Sequence, residues 1–120
     1  MNQISEDPMP NYKMISLTAP VEGRDAEFND WYDNTHMPEI LSFQGVKSAK
    51  RYRARTQIMG PQSWPYLAVY SIETDDIDGL LGEFAEAGAS GRMSRSEASD
   101  RSVGYSVIFE EMGDEVFSAD

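Results

Sequence analysis

The chain has 120 residues, enough for one domain with one modest core, and its 40% hydrophobic content is too high for disorder throughout. A net charge of −11 disfavours nucleic acid and anionic lipid as partners and favours an acidic surface that keeps the protein in solution. The absence of cysteine excludes disulfides, thiolate metal sites and cysteine nucleophiles.

No apolar run approaches the ~20 residues that a membrane helix needs, so we expect no membrane span. Residues 1–11 lack the basic start and apolar centre of a secretory signal, which favours a cytoplasmic protein. The same residues carry two prolines and no apolar periodicity, so they predict a flexible N-terminal arm. We therefore predict a single domain over residues 12–112 and an acidic tail over residues 113–120.

The first predicted elements are a strand and a helix. Aromatic, apolar and β-branched residues fill positions 12–19 and predict a mostly buried strand. Residues 26–43 follow the spacing of an amphipathic helix, with Asp25 as its N-cap. Pro38 removes a backbone donor and disfavours helix before it, which predicts a break near His36 and Met37 and a short helical piece from Pro38 onward.

Two strands and a loop follow. Residues 46–55 alternate unevenly and carry five basic side chains, which is typical of a long, partly exposed strand. Residues 57–65 hold a glycine and two prolines and predict a loop. The stretch YLAVYSIE at 66–73 is the strongest strand prediction in the chain.

The last third predicts a helix and a strand joined by a long loop. Apolar residues recur at helical spacing over 76–87, and Gly88 is a natural stop. Residues 89–102 are small, polar and charged, and this loop either covers a pocket or a partner or is a floppy connector. Alternating apolar residues predict a strand over 103–109.

The order β-α-β-β-α-β predicts an α+β, ferredoxin-like domain: a four-stranded antiparallel sheet with both helices on one face. The strands at 66–73 and 103–109 are apolar on both alternating sides. Two helices cover only one face of the sheet, so we expect a second copy of the chain to cover the other in a two-fold homodimer.

A resemblance to a known family is carried by FNDWYDNTHMPE at positions 28–39, followed by Gly45-Val46 and Arg51-Tyr52. These residues resemble the dimeric α+β barrel superfamily, closest to its EthD-like branch, with its F..WY...H.P helix motif. The resemblance covers residues 12–110. It implies a homodimer whose two sheets close into a barrel. Members include cofactorless isomerases, polyketide cyclases, quinone-forming monooxygenases and haem-degrading enzymes, so the fold alone does not select a reaction.

His36, the only histidine, is the main candidate for chemistry because imidazole exchanges protons near neutral pH. Tyr32 and Asp33 precede it by four and three residues, so either can share its helix face. In the functional interpretation His36 is a general base. In the structural interpretation its ring packs at the helix break and bonds to a backbone carbonyl.

The other candidates are aromatic and basic. Arg51 and Arg53 share one face of their strand, either to bind an anionic group or to form ion pairs at an edge or dimer interface. The aromatic residues belong either to the core or to a ligand pocket, and Trp64 either closes a pocket mouth or fills the dimer seam. We predict His36, Tyr32 and Arg51 as catalytic residues. The predicted substrate-binding residues are Tyr12, Trp31, Phe28, Tyr52 and Trp64.

Two classes of function follow. The first is a cofactor-independent isomerase, cyclase or lyase that acts on a small oxygenated aromatic or lactone-like compound, with Tyr32, Tyr12 or Arg51 stabilising an oxyanion. A cofactorless monooxygenase is a variant of it. The second is a ligand-binding or accessory dimer without turnover. No phosphate-binding glycine loop, hydrolase motif or metal motif is present, and a single histidine cannot build a site of several imidazoles, so we expect no metal and no cofactor.

Overall fold

The structure is a computed structural model that describes residues 9–120, so most of the predicted N-terminal arm lies outside the described residues. None of the helices in this range is long and apolar enough to cross a membrane. The elements follow in the order β1 (Asn11–Thr18), α1 (Asp25–Trp31), a π-helical turn (Tyr32–His36), α2 (Met37–Leu41), β2 (Val46–Arg53), β3 (Tyr66–Glu73), α3 (Ile77–Ser90) and β4 (Tyr105–Glu110).

The four strands form one antiparallel sheet in the order β2-β3-β1-β4. The first helical unit and α3 pack on the same face of it, so the predicted ferredoxin-like α+β fold is confirmed. Strand β1 lies inside the sheet because β3 and β4 both pair with it. Ile15 stands opposite Val69 on one side and Val107 on the other.

The core lies between the sheet and the helices. Side chains alternate between the two faces of a strand, and on β3 every second residue, Ala68, Tyr70 and Ile72, is 1% exposed. Phe28 from α1 is fully buried against them. The other buried hydrophobic residues of this cluster are Met14, Tyr32, Ile40, Phe43, Val46, Leu80, Ala87 and Ala98.

Several predicted boundaries differ from the structure: the N-cap of α1 is Arg24 rather than Asp25, β2 ends at Arg53 rather than at residue 55, and α3 and β4 also differ. Helix α3 runs to Ser90 and does not stop at Gly88, which keeps helical geometry. The helix ends at Gly91, whose φ of +79° is the left-handed conformation that terminates helices. Strand β4 begins at Tyr105, because the backbone of Val103 accepts a hydrogen bond from the Trp64 indole instead of joining the sheet.

The second face of the sheet, called the open face below, carries no helix. The side chains on this face come from the strand positions between the buried residues, and most of them are apolar. Leu17 of β1, for example, stands between Leu67 of β3 and Tyr105 of β4. Tyr105 and Phe109 are 54% and 53% exposed. Lys13, Lys50 and Ser71 also lie on this face, and its apolar and aromatic members are Ile15, Leu17, Tyr52, Leu67, Val69, Tyr105, Val107 and Phe109.

Candidate active site

The π-helical turn decides where His36 points. The Met37 N–H donates to the Tyr32 carbonyl, five residues back rather than four. The predicted break is wrong: Met37 keeps helical angles (φ −63°, ψ −45°) and the helix continues into α2. Because the hydrogen-bond pattern changes just before Pro38, the missing N–H of that proline falls at the junction of two helical segments.

In this turn, side chains four and five residues apart become neighbours. The His36 ring stacks on Trp31 with centroids 4.7 Å apart, and meets Tyr32 edge-on at 4.8 Å. Asp33, three residues before His36, points away to an exposed position and pairs with Arg51 at 2.9 Å. The predicted neighbourhood of His36 therefore holds for Tyr32 and not for Asp33.

His36 opens into a cavity of about 270 Å³ between the π-helical turn, the sheet and the residues after α3. Hydroxyl groups dominate its polar lining, together with His36 and two arginines. The lining residues are Ser16, Thr18, Trp31, Tyr32, His36, Gly88, Met93, Ser94, Arg95, Ser96, Ser99, Arg101 and Ser106.

The electrostatics keep the imidazole neutral near pH 7. Burial lowers the pKa of His36 below its ordinary 6.5; the Glu39 carboxylate opposes this effect and the Arg51 guanidinium adds to it. The Nδ1 atom is buried and has no hydrogen-bond partner among residues 9–120. The ring nitrogen left for a molecule in the cavity is therefore Nε2.

Tyr32 supplies a protonated hydroxyl at the cavity wall. Burial raises the pKa of Tyr32, and the hydroxyl of Tyr70 donates to its oxygen at 3.4 Å. Burial likewise raises the pKa of Tyr70, so both phenols stay neutral. Ser16 and Ser106 share a hydrogen bond of 2.8 Å on the same wall. The cavity thus places a neutral imidazole beside several hydroxyl donors.

Arg51 lies outside this cavity, on the far side of the Tyr32 ring. Its guanidinium carbon is 4.4 Å from that ring's centroid. Its two terminal nitrogens donate to Asp33 at 2.9 Å and to Asn29 at 2.8 Å. The sequence predicts that Arg51 either binds an anionic group or forms an ion pair. In the structure its ion pair is with Asp33 of the same chain.

The remaining predicted binding residues do not line the cavity. Tyr12 lies at the other end of β1, opposite Ile72. Phe28 is fully buried and stacks on Tyr66. Tyr52 lies on the open face, 45% exposed, and Trp64 packs beside Tyr105 with ring centroids 5.8 Å apart. Of the eight predicted site residues, three line the cavity: His36, Tyr32 and Trp31.

Residues 91–104, called the cover loop below, supply the lining that sequence reasoning missed. In the sequence, the signals for this loop are its length and its polar composition. Of the predicted alternatives, the structure supports the one in which the loop covers a pocket. Ser94 anchors it: its N–H and hydroxyl donate to Glu39 at 3.2 Å, and its hydroxyl accepts from the Trp31 indole at 3.1 Å. Further along, the buried Ala98 accepts from the Val21 N–H.

Within residues 9–120 no group of three or more His, Cys, Asp or Glu side chains is arranged to hold a metal ion. The polar groups that line the cavity with His36 are hydroxyls and guanidinium groups, which do not form a metal-binding set. The side chains that line the cavity can transfer a proton and form hydrogen bonds.

Of the comparisons with known proteins, the match to a solved structure bears on the fold. No protein-family model matches the chain. It is 32% identical over 62 residues to Core atranone cluster (CAC) protein 1 of Stachybotrys chlorohalonatus (strain IBT 40285); the match is 50% of this chain and 25% of that protein, so the chain spans about a quarter of this curated relative. The crystal structure of an ethyl tert-butyl ether D (EthD) family protein from Bacillus halodurans C-125 matches with a TM-score of 0.61 and 24% identity, over 85% of this chain and 99% of that one. The chain therefore has the ferredoxin-like fold of an EthD family protein, as the resemblance of its helix motif predicts.

Proposed function

We propose that the chain is a cofactor-independent enzyme that moves a proton on a small oxygenated organic compound, with His36 as the general base. One observation carries the proposal: the neutral imidazole of His36 lines a cavity of about 270 Å³ beside hydroxyl donors. This volume is near the lower end for small-molecule sites and suits a small aromatic or lactone-like substrate.

The proposed step starts when His36 takes a proton from a carbon next to a carbonyl group. The electron pair left on that carbon moves to the carbonyl oxygen and forms an enolate, which hydroxyl donors such as Tyr32 stabilise. The raised pKa of Tyr32 keeps its proton available for this hydrogen bond. Return of the proton from the imidazolium to another carbon completes an isomerisation; expulsion of a leaving group completes a lyase reaction.

Arg51 has a positioning role in this proposal. It does not line the cavity, and its guanidinium packs on the Tyr32 ring while Asp33 and Asn29 hold its nitrogens. Arg51 therefore fixes the ring of Tyr32 from behind. A fixed ring keeps the hydroxyl aimed at one point of the cavity, which is what stabilisation of a developing oxyanion requires.

A ligand-binding dimer without turnover is the second candidate. The observation that favours it is the buried Nδ1 atom of His36, which has no partner within residues 9–120. A catalytic imidazole is ordinarily oriented by a hydrogen bond to its second nitrogen. In this case the stacked Trp31 and the hydroxyls select a ligand, and His36 contributes a hydrogen bond only.

Hydrogen exchange in deuterated water distinguishes the two candidates. A panel of small lactones and aromatic ketones is incubated with the protein, and proton NMR follows loss of the signal from the carbon next to each carbonyl. The enzyme proposal expects catalysed exchange that His36→Gln abolishes and Tyr32→Phe slows. Asn34→Ala is the matched control, because Asn34 is exposed and bonds only to Asp30 in the described chain. Equal exchange by wild type and His36→Gln would overturn the role of His36.

We also propose that the chain forms a homodimer through the open face. Eight apolar or aromatic side chains lie on this face, and two of them are more than half exposed. An apolar patch of this kind ordinarily marks an interface. A two-fold axis through it pairs the same surface with itself, which is the commonest form of small oligomer.

A further inference from the structure

Arg95 and Arg101 are among the six basic residues that form no ion pair within the described part of the chain. Lys13, Arg24 and Arg92 are paired with glutamates, and Arg51 is paired with Asp33. Within residues 9–120, Arg95 and Arg101 form no ion pair of this kind. In a protein with 21 acidic and 10 basic residues, two unpaired arginines at one cavity are a local reversal of charge.

The cavity that these arginines line contains no carboxylate. Asp and Glu make up 21 of the 120 residues, yet none of the residues that line this cavity is acidic; the nearby Glu39 carboxylate accepts hydrogen bonds from Ser94. The polar groups there are guanidinium groups, hydroxyls and a neutral imidazole. Hydrogen-bond donors and positive charge therefore face the cavity, and this is the chemistry that recognises a carboxylate group.

Arg95 extends from a fixed point of the cover loop. It follows Ser94, whose backbone and side chain are both bonded to Glu39. The Ser94 hydroxyl also accepts from Trp31, the residue that stacks on His36. The residue before Arg95 is thus linked to the proposed catalytic histidine through Trp31.

Arg101 extends from a second fixed point. It follows Asp100, whose N–H donates to the Ala19 carbonyl at 2.9 Å and whose carboxylate accepts from Ser102 at 2.6 Å. Asp100 is therefore occupied within the loop itself. Two arginines on anchored backbone lose less freedom when they bind a ligand than two arginines on a mobile loop would.

We propose that the cavity binds a small organic acid, with its carboxylate held by Arg95 and Arg101 and the rest of the molecule beside His36. This proposal names a substrate class for the site of the proposed function. It rests on that function only because both use the same cavity. The carboxylate supplies the negative charge that the lining lacks. Its presence near the imidazole raises the pKa of His36 when the ligand binds.

Binding of carboxylates and of their neutral amides tests the proposal. The probes are benzoate, salicylate and cinnamate against benzamide, salicylamide and cinnamamide, measured by calorimetry and by the NMR signals of the single imidazole. We expect at least one carboxylate to bind at least about tenfold more tightly than its amide, the effect of one charge-assisted contact. Binding weakens as salt is raised, because both arginines are solvent-exposed.

The variant pair R95Q/R101Q is expected to lose that preference, with about tenfold weaker binding of the carboxylate. The control pair K47Q/R55Q removes the same charge from exposed residues that do not line the cavity. Equal binding of acids and amides, absence of binding by all three acids, or equal loss in both pairs would each overturn the proposal. Carboxylate binding without hydrogen exchange on any compound would refute the enzyme proposal and support the carboxylate site. Hydrogen exchange on neutral ketones without a binding preference for acids would support the enzyme proposal and refute the carboxylate site.

Discussion

The indole ring of Trp31 lies flat on the imidazole ring of His36, with centroids 4.7 Å apart and planes inclined by 20°. The indole N–H bonds to Ser94 of the cover loop, and the edge of Tyr32 meets the imidazole from another direction. These contacts shield the ring from water on two sides and leave it open toward the cavity. The burial that lowers the His36 pKa is therefore produced largely by its neighbours in the helix.

The first prediction concerns the pKa of His36. Because burial disfavours the charged imidazole, we expect the pKa of His36 in the folded protein to be below 6.5. The chain has one histidine, so proton NMR follows a single pair of imidazole signals without assignment problems. In concentrated urea the same signals serve as the control and titrate near 6.5. A folded-state pKa at or above that value would contradict the burial argument.

The same shift makes stability depend on pH. The unfolded chain binds the His36 proton more tightly than the folded chain, so acidification below about 6.5 favours unfolding until the lowered folded pKa is passed. Urea denaturation of wild type and of His36→Gln across this window measures the effect. The wild type is expected to lose more stability than the variant; parallel pH profiles would show that His36 does not cause the dependence.

Arg51→Lys tests whether the guanidinium group itself is needed behind Tyr32. Lysine keeps the charge but cannot stack on the ring while donating to both Asp33 and Asn29. We expect a loss of about 1–2 kcal/mol in the free energy of unfolding, from one lost hydrogen bond and the lost ring contact. Arg55→Lys, in the exposed loop after β2, is the control and is expected to change little. Full stability of Arg51→Lys would show that charge alone is sufficient.

Ser94→Ala tests the anchor of the cover loop. It removes the hydroxyl contacts to Glu39 and Trp31 and keeps the backbone contact. We expect a loss of about 1 kcal/mol in unfolding free energy and faster proteolytic cleavage within residues 91–104. Ser63→Ala, in another exposed loop, is expected to show neither effect. Unchanged cleavage in Ser94→Ala would mean that the loop is held by its other contacts.

The homodimer is tested by light scattering coupled to size exclusion. We expect twice the chain mass of 13.5 kDa for the wild type. Glutamates in place of Tyr105 and Phe109 put charges on the open face, and the double variant is expected to be a monomer. Leu81→Glu, on an exposed position of α3, is the control and stays dimeric. A wild-type monomer would overturn the homodimer proposal.

The strand and helix order could be predicted from sequence because each element carries its own signal. Tyr66–Glu73 has the predicted bounds, since aromatic and β-branched residues end there at a polar turn. The π-helical turn could not be predicted, because Phe28, Trp31 and Tyr32 fit regular α-helical spacing equally well. The part played by Ser94 also escaped sequence reasoning. It depends on Glu39, 55 residues away, and no local periodicity reports a contact at that distance.

Between Phe28 and Ile40, two side chains fixed in the core, the first helix contains one residue more than regular α-helical winding would place there. Removing one residue from positions 33–35 would restore regular winding, and Phe28 and Ile40 would keep their places in the core. The helix would then present a different side chain to the cavity while the sheet remained as it is. A single insertion or deletion in this turn is thus enough to create or abolish the site, without any change in the residues that form the core.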